Sequence, residues 1–146
     1  MNRRFLLLMG LAYTATLAPA IYAFGHSHMK GDLEIFHPWT FEEAKPGANV
    51  IVRMQITNSG KQADALIGVE TMEAAAAALR TQSNTRPAQP VRIEIPAGKT
   101  VVLSDKGPHV ALTGMRASLM ASLSFPIVLV FQKAGPMRID VVIEDR

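Results

Sequence analysis

The chain has four histidines and eight methionines, and no cysteine accompanies them. Two places stand out by spacing. His26-Ser27-His28-Met29 puts two imidazoles and a thioether into four consecutive residues. His109 follows Gly107-Pro108 and precedes an apolar stretch. Imidazole and thioether together suit Cu(I), a soft ion, whereas nitrogen donors in a square plane suit Cu(II). A cut after Gly25 would give His26 a free amine, with His28 in third place. The amine, two intervening backbone nitrogens and the imidazole then supply four donors for Cu(II). A cut after Ala20 would leave the same residues on a short tail. Each feature also has a structural reading. Methionine fills irregular core gaps, and apart from Met29 the methionines are read as core. A lone His109 reads equally as a hydrogen-bonded structural imidazole. His37, in His37-Pro38-Trp39, is read as structural, and Trp39 as packing the interior.

Other chemistries lack their residues. Without cysteine there is no disulfide framework, thiolate zinc site, thiol nucleophile or cysteine for lipid attachment. No glycine-rich phosphate loop or nucleophile elbow occurs. Glu42-Glu43 and Glu144-Asp145 read as solvated charges, and no acid–base pair stands out, so no enzyme is expected. The formal charge is +3. Two of the basic residues, Arg3 and Arg4, lie in the first 25 positions, and without them the charge is +1. That gives no electrostatic case for nucleic acid.

Residues 1–25 have the pattern of a secretory signal peptide. Arg3 and Arg4 form a basic start, Phe5 to Ala12 is apolar, and small residues recur at Ala18-Pro19-Ala20 and Ala23-Phe24-Gly25. The alternative is a retained anchor, since Phe5 to Ala23 is just long enough to span a bilayer. Pro19, Thr14 and Thr16 interrupt that run. An exported protein is expected, with membrane contact only if the leader is kept.

The elements that must position His109 read as short strands between Gly, Pro and Asn. Val50, Val52, Met54 and Ile56 alternate with Ile51, Arg53, Gln55 and Thr57, a period of two with one apolar face. Leu33–Phe36, Ala65–Val69, Val91–Ile95, Thr100–Leu103, Val110–Leu112, Ile127–Phe131 and Met137–Ile143 read as further short strands. Asn58-Ser59-Gly60 and Ala134-Gly135-Pro136 are turns. The expectation is one all-β domain over 33–146, an antiparallel sandwich, preceded by a His/Met arm over 26–32. Thr71 to Thr81 differs. Its alanine run has high helix propensity and predicts a short helix of about three turns near 71–81.

Three stretches carry a resemblance to the PCuAC family of periplasmic copper chaperones. They are Gly31 to Ile35 with His37-Pro38-Trp39, then Ile93 to Gly98 with Val101 to Leu103 and His109, and last Phe131 to Gly135. The match is collinear over roughly residues 30–143. The resemblance implies a cupredoxin-like β-sandwich that carries Cu(I) to the copper centre of cytochrome oxidase. It names the copper ion, an oxidase subunit and other copper-assembly proteins as partners.

The family's ligand pattern is His, ten residues, Met, twenty-one residues, His, one residue, Met. With the second His on His109, the last Met falls on Ala111. The first Met falls on Pro87, or on Thr85 with a two-residue slip. The first His falls on Ala76, or near Arg80 if the intervening loop is longer. Only His109 keeps a donor. The expected metal residues are therefore His109 with His26, His28 and Met29, holding Cu(I), with Cu(II) as a further candidate at the amino-terminal arm. The competing expectation is a metal-free interaction module that kept the sandwich and lost the site.

Overall fold

The computed structural model describes residues 26–81 and 91–146. The leader, Thr85 and Pro87 lie outside them. Ten strands run in chain order: β1 (Ser27–Lys30), β2 (Leu33–Phe41), β3 (Val50–Asn58), β4 (Asp64–Glu70), β5 (Ala74–Arg80), β6 (Ile93–Ile95), β7 (Thr100–Leu103), β8 (His109–Met115), β9 (Ser124–Phe131) and β10 (Gly135–Glu144). No helix occurs among the described residues. The expected all-β, cupredoxin-like sandwich is the fold observed.

The sheet runs β5-β8-β3-β2-β10-β9-β4-β6, with β1 beside β2 and β7 beside β3. All pairs are antiparallel except β2 with β10. Two strands divide an edge between partners, and this curls the sheet. β3 pairs with β8 through Val50–Val52 and with β7 through Met54–Thr57. β2 pairs with β1 through Leu33–Phe36 and with β10 through Trp39–Phe41. The inward residues of β3 are Val50, Val52, Met54 and Ile56. They join Ile35, Leu66, Ile95, Leu112, Leu129, Phe131 and Ile139 in one core. The period-two alternation read in the sequence is this inward–outward alternation.

Two strands were not expected. The alanine run forms β5, not a helix, paired residue for residue with β8. Local propensity loses because the β8 edge offers backbone partners and a place in the core for Ala74 and Leu79. Small side chains also allow close approach. A Cβ at Gly114, whose φ is +67, would lie 3.1 Å from the Ala75 Cβ. The second addition is β1. Residues 27–30 are a paired strand, joined to β2 by the two-residue turn Gly31-Asp32. Gly31 takes φ +58 there, the conformation for which hairpin turns select glycine. Trp39 also differs from expectation, because it packs outside the core, edge-on to Phe41 at 5.0 Å.

Asp64 fastens the closing turn after β9. Its buried carboxylate accepts the N–H groups of Ala65 at 2.7 Å, Lys133 at 2.9 Å and Ala134 at 3.0 Å. Burial pushes this carboxyl up, but the three N–H donors and the Lys133 charge together outweigh it, and the pKa lies below the ordinary value. A lowered folded pKa contributes stability above the unfolded pKa of about 3.9, and the contribution is lost as pH falls through the folded value. Asp64→Ala, which strands three backbone donors, should cost about 2–3 kcal/mol in denaturant unfolding. Acidification from pH 5 to 2 should destabilise the parent more than Asp64→Asn. Equal acid sensitivity would remove Asp64 from this role.

Candidate functional site

His109 opens β8 at the end of a tight loop. Ser104 N–H donates to Pro108 O at 2.9 Å, and Gly107 N–H to Ser104 O at 3.3 Å. The imidazole is 3% exposed, and its Nδ1 lies 2.9 Å from Gly107 O. A carbonyl can only accept, so Nδ1 is the donor and the neutral ring carries its lone pair on Nε2. Metal-ligating histidines are commonly oriented by this kind of carbonyl contact. The geometry serves a structural imidazole equally well.

The surroundings of His109 differ from a soft-metal site. Val52 faces Val110, and both point inward. His109, Ala111 and Arg53 have the opposite parity to that pair, and the β3–β8 ladder ends at Val52 and Val110. On the other side Arg80 pairs with His109, and Ala78 with Ala111. The register thus favours Arg80 over Ala76 as the position of the missing family histidine, since Ala76 faces Thr113. A guanidinium and a methyl group stand where the family pattern places an imidazole and a thioether.

Sequence reasoning missed the Arg53 cluster. Arg53 forms a paired contact with Asp105, Nε to Oδ1 and Nη2 to Oδ2, the second at 2.7 Å. Its guanidinium also lies 4.7 Å from the Trp39 ring centre and 4.9 Å from that of Phe41. The Arg53 hydrogen bond holds the Asp105 carboxyl below its ordinary pKa against the opposing effect of burial, and His109 adds to the lowering. The available signal was an arginine in mid-strand on the parity opposite the apolar face. His37 is structural, as expected. Its φ is +48, a left-handed value histidine adopts more readily than most residues. Its Nε2 meets Glu144 Oε1 at 2.7 Å, so Glu144, expected to be a solvated charge, is held by the imidazole.

The amino-terminal candidates lie elsewhere. His26 O accepts the His37 N–H at 2.8 Å. His28 Nε2 accepts the Asp140 N–H at 3.2 Å. Met29 is 71% exposed. Successive strand residues point to opposite faces, so His28 and Met29 diverge in β1. Two strands, β2 and β3, separate β1 from β8, which puts β1 about 14 Å away at ordinary strand spacing. The structure does not bring His109 together with His26, His28 or Met29. Among the described residues no group of three or more His, Cys, Asp or Glu side chains could hold a metal.

The register makes a constructive test possible. Arg80→His combined with Ala111→Met, in a chain lacking residues 26–29, should raise Cu(I) affinity at least tenfold, about 1.4 kcal/mol, in competition with a chromogenic chelator. No gain would show that the β5–β8 edge is not where a ligand set can be rebuilt.

Comparison with known proteins follows the same lines. No curated protein matches the chain. A family described as putative lipoprotein LpqE-like matches residues 33–143. The chain is similar to the apo PCuAC domain from PmoF1, with 26% identity and a TM-score of 0.74, covering 83% of this chain and 100% of that one. It is similar to the copper-bound PCuAC domain from PmoF2, with 25% identity and a TM-score of 0.72, over 83% and 99% of the two chains. The solution structure of CuI-DR1885 from Deinococcus radiodurans shares the fold at 21% identity and a TM-score of 0.58, over 86% and 85%. The matched family segment spans the strands from β2 to β10, and the present sequence has no cysteine for the lipid that the family description mentions. The chain belongs to the LpqE-like family and carries the PCuAC domain fold.

Proposed function

We propose that this is an exported, non-enzymatic copper-binding protein of the PCuAC type, with copper as cargo and no tight Cu(I) site on the sandwich. The observation that supports the reading is the orientation of His109, the residue on which the family's second histidine aligns, with its Nδ1 turned to Gly107 O. Copper would be held mainly by His26, His28 and Met29, with His109 a separate, weaker imidazole donor. The role that fits is buffering or delivering copper in the periplasm during cytochrome oxidase assembly, with an oxidase subunit or another copper-assembly protein as recipient. The likeness to a copper-bound PCuAC domain supports the ligand class. Processing near residue 21 or 26 would free the segment that carries most of the donors.

A second reading is favoured by Arg80 opposite His109 and by Ala111 beside it. In that reading the sandwich is an interaction module without metal. Titration of the exported chain with Cu(I) and Cu(II) separates the two. Under the copper reading, binding is weaker than in a full two-His, two-Met site. Deleting residues 26–29 removes most of it, and His109→Ala removes part of the remainder. Imidazole must be neutral to ligate, so affinity falls on acidification. Affinity unchanged by the deletion would refute the amino-terminal site. No copper binding by the intact chain would leave the interaction module.

A further inference from the structure

The amino-terminal segment has two uses that compete for the same atoms. In the structure it is β1. His37 N–H donates to His26 O at 2.8 Å, and antiparallel ladders alternate, so the next hydrogen-bonded pair is His28 with Ile35. Two side chains fasten the strand to β10. His28 Nε2 accepts from Asp140 N–H at 3.2 Å, and Lys30 Nζ donates to Pro136 O at 2.6 Å.

A square-planar Cu(II) site at a freed His26 would use the amine, the amide nitrogens of Ser27 and His28, and His28 Nδ1. Each donor must sit within roughly 2 Å of the ion, the usual length of a first-row metal–nitrogen bond. The His26 and His28 nitrogens then lie no more than about 4 Å apart. In an extended strand, two residues advance about 6.6 Å. The His28 amide also loses its proton to solvent on binding the metal, and with it the bond to Ile35. No electron is transferred; the two amide protons, the proton of the His26 ammonium where it is charged, and the waters of the aqueous ion pass to solvent.

We propose that Cu(II) capture at His26-Ser27-His28 and docking of β1 on β2 exclude one another, so that the metal releases β1 and uncovers the Leu33–Phe36 edge of β2. The inference rests on the amino-terminal copper reading and on processing after Gly25. Release is mechanically cheap because β1 contributes no residue to the hydrophobic core, which is drawn wholly from residues 33–143. For the same reason a chain beginning at His26 keeps the entire core.

The test compares that chain with a synthetic peptide of residues 26–32. Cu(II) affinity is measured for both by competition, and amide hydrogen exchange is followed in the folded chain. The peptide should bind at least tenfold more tightly, because it has no strand to unpair. Cu(II) should accelerate exchange at the Ile35 and His37 amides and leave β8 and β9 protected. His28→Ala should abolish that acceleration. Equal affinities, with Ile35 and His37 still protected in the copper-loaded chain, would overturn the exclusion alone. A peptide that binds no Cu(II) would overturn the amino-terminal copper reading and the exclusion with it.

Discussion

Arg53 joins the parts of this protein that would otherwise be independent. It stands on the outer face of β3 between two inward residues, Val52 and Met54. Its guanidinium lies against Trp39 and Phe41 of β2 and grips Asp105 in the loop that ends at His109. A planar, always-charged guanidinium can stack on rings and bind a carboxylate at once, which a lysine cannot. The loop's position therefore follows from β3 and β2 together, and with it the entry of β8. Burial of the inner face supplies most of the stabilisation. The Arg53 contacts specify how the outer face is arranged around His109.

The neighbouring edge gives this sandwich its particular character. β5 and β8 come together through small residues, Ala78 against Ala111, with Arg80 against His109. Thioether and imidazole donors would make that edge a home for a soft cation. Methyl groups and a guanidinium stand along that edge instead. The change involves a whole strand, since the alanines that remove donors also allow the close approach of Ala75 to Gly114.

Much of the fold was legible because strands with one buried face alternate. Val50 to Ile56 declares its inward side without help from the rest of the chain, and Asn58-Ser59-Gly60 marks its end. Two elements were illegible for opposite reasons. The alanine run has a strong local preference for helix, and only the unpaired β8 edge, a distant part of the chain, reverses it. Ser27–Lys30 is polar and exposed, so no apolar pattern announces β1; the glycine of Gly31-Asp32 was the available clue. At the site, His109 and the absence of partners for it could be read by counting. That Arg80 is its cross-strand neighbour could not, because the register is set by strand pairing and the loop before β6 has no fixed count. Trp39 misled because a large aromatic is usually core, whereas here an outward arginine provides its packing surface.

The central claim is that copper, when bound, sits in a nitrogen-dominated site at the amino terminus and not in a two-His, two-Met site on the sandwich. X-ray absorption at the copper edge of the loaded, exported chain tests this most directly. The account predicts a first shell of nitrogen with imidazole scattering beyond it and no more than one sulfur. A Cu(I) shell containing two sulfurs would contradict it, because residues 26–32 offer one thioether, Met29.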